Sequence, residues 1–105
     1  MKTFRLPILL GLAVMLVLPT LAAAQDSAAD YKAKCAMCHG ADGKASTGMG
    51  KTMGLKPLSD PEVQGMSDAD LAALITNGKG KMPAMKGKLT DDQIKGLVKY
   101  IKSMK

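Results

Sequence analysis

The chain has 105 residues and a formal charge of +6, which is enough for one small domain, since domains typically span about 100–150 residues. Its two cysteines exclude a four-cysteine iron–sulfur cluster and a scaffold held by several disulfides. Two tyrosines, one phenylalanine and no tryptophan make a poor stacking platform for bases, so we expect no nucleic-acid partner.

Residues 1–24 have the pattern of a secretory signal peptide. Lys2 and Arg5 form a basic start, residues 8–18 form an apolar run without charge, and Ala22 and Ala24 supply the small residues of a cleavage site. The apolar run falls short of the roughly 20 residues that a membrane span needs, so an uncleaved anchor is the weaker alternative. The pattern therefore predicts export to the periplasm and no stable membrane insertion after cleavage.

The mature domain, residues 25–105, is basic and poor in aromatic side chains. It keeps 13 lysines, no arginine and nine acidic residues, so its formal charge is 13 − 9 = +4. A chain this short obtains only roughly 3–5 kcal/mol from its own core. Small secreted domains usually compensate with disulfides or metals, and one pair of cysteines three residues apart closes a trivial loop. The composition indicates that something other than protein fills the centre.

Four segments are expected to be helical, and no segment alternates in the manner of a strand. They span about residues 28–38, 61–64, 68–77 and 91–103. Each follows a residue that favours an N-cap: Ser27, Asp60, Ser67 and Thr90. Two long loops with glycines, residues 40–59 and 78–89, connect them. Loops of this length are unusual in a compact domain unless they are functional, so we expect both to pack against a partner.

The segment Cys35-Ala36-Met37-Cys38-His39 carries the chemistry. C-x-x-C-H is the attachment signature of a c-type haem. On a helical turn, residues i and i+3 have Cβ atoms about 5–6 Å apart, so Cys35 and Cys38 can form thioethers with the two vinyl groups of one haem. His39 is then placed to bind the iron. A structural zinc site needs four ligands, and a thioredoxin-type motif needs a βαβ pattern, so these alternatives are weaker.

The mature chain resembles a class I monohaem cytochrome c of the small bacterial kind over nearly all of residues 25–105. The resemblance rests on the first helix running into CAMCHG, a downstream KMP, and a closing amphipathic helix with Tyr100. It implies an all-α cytochrome c fold, with three to five short helices wrapped around one covalently bound haem c. It also implies that the first and last helices cross with an aromatic contact, for which Tyr31 and Tyr100 are the candidates.

The resemblance implies a methionine as the sixth iron ligand, and Met82, followed by Pro83, matches its position. Met82 also lies in the glycine-containing loop between the third and fourth expected helices. Met85 is the rival ligand. The remaining mature methionines are expected to fill gaps in the core: Met37, Met49, Met53, Met66 and Met104.

The resemblance also leads us to expect an acceptor for the ring N–H of His39. The family usually has a proline about ten residues after this histidine, whose carbonyl accepts that hydrogen bond. This chain has none there, and we expect a carbonyl within residues 47–49 to serve instead, since a ligating histidine generally donates its other ring N–H.

These residues predict a one-electron carrier of a respiratory chain that cycles haem iron between Fe(II) and Fe(III). His39 and Met82 would fill both axial positions, which argues against an enzyme. The alternative is a haem enzyme or gas-sensing haem protein with a labile sixth ligand. Seven lysines in the two long loops indicate a basic collar that steers a redox partner with an acidic docking surface, although plain solvation is the competing explanation. We expect a monomer.

Overall fold

The computed structural model describes residue 11 and residues 21–104, and this part of the chain is helical without a β-strand. Its helices are α1 (Leu21–Lys34), α2 (Ala36–His39), α3 (Gly48–Met53), α4 (Pro61–Gln64), α5 (Asp68–Asn77) and α6 (Asp91–Lys102). The all-α expectation is confirmed. Six helical segments replace the expected three to five, because the first helix breaks at Cys35 and a short helix forms at residues 48–53. The expected signal peptide, residues 1–24, lies mostly outside the described residues.

Three of the helices begin at the residues that the sequence predicts. Asp60 caps α4 by accepting a hydrogen bond from the Glu62 amide, and Ser67 caps α5 in the same way. At α6 the capping box is complete: the Thr90 hydroxyl accepts from the Gln93 amide at 3.2 Å, and the Gln93 side chain accepts from the Thr90 amide at 2.8 Å. These side chains satisfy amide groups that have no partner within the helix.

The first helix starts earlier than the sequence predicts. The predicted start at about residue 28, with Ser27 as the N-cap, is wrong, because α1 already runs from Leu21 through three alanines, and alanine and leucine have the highest helix propensity. Ser27 is instead a buried residue within the helix, with 8% of its surface exposed. It lies directly against Gly96 of α6, where an added Cβ would overlap its hydroxyl. A glycine at this point lets α1 and α6 cross closely.

The core lies mainly between α1, α5 and α6. Tyr31 and Leu97 are its most completely buried large side chains, with 1% and 0% exposed. The Tyr31 and Tyr100 rings lie 5.1 Å apart between centroids with an interplanar angle of 46°, so the expected aromatic contact between the first and last helices is confirmed. The other members of the buried core are apolar: Leu58, Leu71, Ile75, Met85, Leu89, Ile94, Val98 and Ile101. None of the described helices has the length and apolar character needed to cross a membrane.

Candidate functional site

Cys35 to Gly40 form a tight turn at the end of α1, here called the attachment turn. The Cys35 amide donates to the Tyr31 carbonyl at 2.8 Å, and the His39 amide donates to the Cys35 carbonyl at 2.9 Å. Gly40 then ends the turn with a φ of 78°, a conformation that glycine adopts without steric cost. Both cysteines are free thiols and half-buried. The turn thus holds the two thiols and the imidazole on five consecutive residues.

The hydroxyl of Tyr31 holds the end of the attachment turn. It donates to the Gly40 carbonyl at 2.6 Å from a ring that is almost completely buried. Burial, followed by the charges of Cys35, Tyr100 and Asp42, raises the pKa of Tyr31 to about 12. The hydroxyl therefore keeps its proton, and with it the hydrogen bond, throughout the neutral pH range.

Thr47 and Gly50 hold the turn from the other side. The Thr47 hydroxyl donates to the Cys38 carbonyl at 2.9 Å and accepts from the Gly50 amide at 2.9 Å, so it caps α3 while it contacts the turn. A Cβ added at Gly50 would lie 2.6 Å from the Cys38 carbonyl oxygen and 2.5 Å from that of Ala45. Because real Cβ atoms do not approach so closely, only glycine lets α3 pack on the attachment turn.

His39 is half-buried, and one of its ring nitrogens has no partner. Burial lowers the pKa of His39, which favours the neutral imidazole that binds metals. Its Nδ1 atom is buried without a hydrogen bond to any described residue. The expected acceptor within residues 47–49 is therefore wrong. Two of those carbonyls are already engaged around α3, since the Thr47 carbonyl accepts from the Lys51 amide and the Gly48 carbonyl from the Thr52 hydroxyl.

Cys35 has a different environment from an ordinary surface thiol. Burial, and secondly the negative charge of Asp30, raise the pKa of the Cys35 thiol to about 11. Asp30 itself is tied to α6, because its Oδ1 accepts from the Gln93 side chain at 3.3 Å. The thiol of Cys35 is consequently neutral at physiological pH, and its partly buried side chain packs against the main core.

The two candidate methionines have different surroundings. Met85 is a member of the buried core, with 5% of its surface exposed. Met82 is half-buried and packs against the edge of the same core that Cys35 borders. The structure therefore places Met82 and Cys35 around one core, and it places Met85 inside that core.

The expectation that all other methionines fill gaps is only partly met. Met66 and Met104 pack against the core. Met37 and Met49 do not, because 75% and 47% of their surfaces are exposed. Met37 lies in α2, a single turn without any buried residue, so it has no core to fill.

The residues of the site fit a c-type haem. The attachment turn offers two free thiols at the i, i+3 spacing, and His39 contributes a neutral imidazole with a buried nitrogen that lacks a protein partner. No group of three or more His, Cys, Asp or Glu side chains within the described residues is arranged to hold a metal ion. This donor set suits thioether attachment and axial ligation rather than a four-ligand zinc site.

Comparison with known proteins supports this fit. Residues 22–101 match the family described as cytochrome c oxidase, cbb3-type, subunit III. The chain is 40% identical to cytochrome c6 of Rippkaea orientalis over 93 residues, which cover 85% of this chain and 78% of that one. It is 39% identical to cytochrome c6 of Nostoc sp. over 105 residues, covering 95% and 90% of the two chains.

The chain is also similar to a longer relative and to a solved structure. The chain is 36% identical to the cbb3-type cytochrome c oxidase subunit CcoP of Azospirillum brasilense over 85 residues, which are 79% of this chain and 29% of that subunit. The solved KustC0563 c-type cytochrome superposes with a TM-score of 0.70 at 33% identity, covering 76% of this chain and 98% of that one. The chain belongs to the c-type cytochrome family, as a small electron-carrying protein with one covalently attached haem c.

Proposed function

We propose that the protein is a soluble, monomeric one-electron carrier and not an enzyme. Cys35 and Cys38 would form the two thioethers, and His39 and Met82 would supply the two iron ligands. The observation that carries it is the attachment turn, because two hydroxyls and one glycine contact hold its backbone in place. When bound, the haem supplies reversible exchange of one electron between Fe(II) and Fe(III).

The burial of the two methionines favours Met82 as the sixth ligand. Met85 already packs within the core, and withdrawing it would leave a cavity there. Met82 borders the core at its edge and is the last residue of a turn that begins at Lys79. Two hydrogen bonds close this turn: the Met82 amide donates to the Lys79 carbonyl at 2.9 Å, and the Lys79 amide donates to the Met82 carbonyl at 3.2 Å. A thioether is a soft ligand, and histidine–methionine ligation raises the reduction potential of haem iron.

Two matched variants test the choice of methionine. In Met82→Ala, the weak absorption band of the ferric sulfur–iron bond should disappear, the potential should fall, and the ferrous form should bind carbon monoxide readily. In Met85→Leu, which keeps a similar volume, the band should remain. Rapid carbon monoxide binding by the unmodified protein at neutral pH would instead support the haem enzyme or gas sensor with a labile sixth ligand.

The lysines of the loops support docking to an acidic redox partner. Residues 71–90 contain four lysines and no acidic residue, and all four are exposed: Lys79, Lys81, Lys86 and Lys88. They flank Gly80 and Gly87, the positive-φ residues of two successive turns. Acidic residues are found instead in the first turns of α4, α5 and α6. We propose that these four lysines, the part of the basic collar within residues 79–88, attract the partner's acidic surface and speed encounter.

Small redox reagents test the collar without a known partner. Oxidation of the reduced protein by ferricyanide, an anion, should slow as ionic strength rises. At a fixed low ionic strength, replacing Lys79 and Lys81 by Gln should make this oxidation slower than in the unmodified protein. Replacing Lys95 and Lys99 by Gln, along the groove between α5 and α6, removes the same charge and should have the smaller effect. Equal slowing by both double variants would show that net charge alone matters.

We also propose that residues 1–24 direct export to the periplasm and are then removed. The basic start, the short apolar run and the small residues before Gln25 support this. Haem attachment to C-x-x-C-H outside the cytoplasm agrees with it. The intact mass of protein from a periplasmic fraction should correspond to residues 25–105 plus one haem. A mass that includes residues 1–24 would contradict cleavage.

A further inference from the structure

Gly78 lies at the point where the methionine loop, residues 78–89, leaves α5. Its φ of 74° belongs to the left-handed region, and its amide donates to the Leu74 carbonyl at 2.8 Å, which closes the helix. A Cβ added here would lie 2.6 Å from the Met82 carbonyl oxygen and 2.8 Å from the Ala84 amide nitrogen. Both are backbone atoms, so no side-chain rotation can relieve the overlap.

Main-chain hydrogen bonds on both sides of Met82 restrict the movement of its backbone. On its upstream side, reciprocal hydrogen bonds between Lys79 and Met82 close a four-residue turn. On its downstream side, the Met85 amide donates to the Ile75 carbonyl at 3.0 Å, and the Lys86 amide donates to the Thr76 carbonyl at 3.1 Å. The segment between them is therefore fixed upstream by the turn to Lys79 and downstream by the bonds to the last turn of α5, and its Met82 and Ala84 backbone atoms lie close to Gly78.

We propose that Gly78 is the positioning residue for the sulfur ligand. Its missing side chain lets the Met82 backbone lie against the end of α5, and this close approach sets how far the Met82 thioether reaches toward the iron. The inference rests on the proposed function, because it takes Met82 as the ligand. A methionine thioether is a weak iron ligand, so a displacement of the Met82 backbone would weaken or break its bond to the iron.

Two other glycines of the same loop provide matched controls. Gly80 and Gly87 also have positive φ angles, of 57° and 80°. A Cβ at either position would meet nothing within 4 Å. A substitution there therefore carries a similar backbone strain but leaves the path of the Met82 segment open. The difference between Gly78 and these two positions isolates the steric contact.

The test compares holoprotein variants by the sulfur–iron absorption of the ferric form, the reduction potential and carbon monoxide binding to the ferrous form. Gly78→Ala should lose the sulfur–iron band, lower the potential and bind carbon monoxide readily. Gly80→Ala should keep the band and the unmodified potential. Gly78→Asn is the second variant, because asparagine tolerates positive φ better than alanine and still brings a Cβ against Met82. It should lose the band as well.

The outcomes separate the two proposals. Retention of the band and potential in both Gly78 variants, while Met82→Ala loses them, would overturn the positioning role and leave Met82 as the ligand. Absence of the band from the unmodified protein would overturn Met82 ligation itself. Loss of the band in Gly80→Ala to the same extent as in Gly78→Ala would also overturn the positioning role, since strain alone would then explain the effect.

Discussion

The attachment turn and the methionine loop border the same core, but they are held in different ways. Side-chain hydroxyls of Tyr31 and Thr47 hold the turn through the Gly40 and Cys38 carbonyls. In the methionine loop, no side chain among the described residues takes part in a hydrogen bond, and main-chain bonds to α5 hold it instead. Removing one side-chain oxygen atom should therefore loosen the turn, whereas the loop offers no such side-chain bond and should be displaced by an added Cβ, as at Gly78.

The largest expected effect concerns the core that both regions share. Leu97 in α6 has no exposed surface, and Leu97→Ala should lower the free energy of unfolding by about 2–5 kcal/mol through lost burial and a cavity. Because Leu97 is not one of the proposed iron ligands, the sulfur–iron band should persist in the folded variant. Denaturant unfolding monitored by circular dichroism measures the change. Lys95→Ala, an exposed change on the same helix, should stay within about 0.5 kcal/mol.

The next largest loss of stability is expected when the Tyr31 hydroxyl, which holds the attachment turn, is removed. Tyr31→Phe leaves the Gly40 carbonyl without its donor, and an unsatisfied buried group costs about 1–3 kcal/mol. Tyr100→Phe is the control, because the Tyr100 hydroxyl has no hydrogen bond to a described residue. Equal losses of unfolding free energy in the two variants would show that the Tyr31 hydroxyl does not hold the turn.

The raised pKa of Tyr31 makes the free energy of unfolding depend on pH in the alkaline range. In the folded protein burial raises the pKa of Tyr31 to about 12, above the ordinary value of 10.0. The unfolded chain therefore releases this proton first as the pH rises, and the stabilisation is lost progressively between about pH 10 and pH 12. Tyr31→Phe should show a shallower decline of unfolding free energy in this window. Parallel declines for the two proteins would contradict the raised pKa.

The smallest effect compares Thr47, the N-cap of α3, with Thr52 within that helix. Thr47→Val removes the hydroxyl that joins the Cys38 carbonyl to the Gly50 amide and should cost about 1–2 kcal/mol. Thr52→Val removes an exposed hydroxyl that bonds only the Gly48 carbonyl within the helix, so it should cost less than about 0.5 kcal/mol. Thermal unfolding of both holoproteins provides the comparison. A loss of unfolding free energy in Thr52→Val as large as that in Thr47→Val would show that the Thr47 hydroxyl has no special role in holding the attachment turn.

The sequence predicts those features whose causes are local. The bounds of α4 and α5 and the start of α6 follow from a capping residue and an apolar stripe within a few positions. The start of α1 does not, because Ser27 has the pattern of a cap but is buried against Gly96, far away in the chain. Helix α3 escapes prediction for a similar reason. Two glycines in six residues disfavour a helix, and contact with the attachment turn stabilises it.

The same distinction between local and distant causes applies to the residues of the site. Cys35, Cys38 and His39 are predicted from their contiguous spacing, and Met82 is predicted as the sixth ligand from the resemblance to a family pattern. The Thr47 hydrogen bond to Cys38 and the contact of Gly78 with Met82 are not, because each depends on how a loop folds back on the chain. Gly78 carries only the local signal of a helix C-cap, which does not distinguish it from any other glycine that ends a helix.

The most direct test of the central claim is the intact mass of the denatured protein, isolated from a host that attaches haem to cytochromes. We expect one haem that stays on the chain after denaturation, and its complete loss from the double variant Cys35→Ser, Cys38→Ser. A colourless protein with the mass of the polypeptide alone would show that the chain does not attach haem.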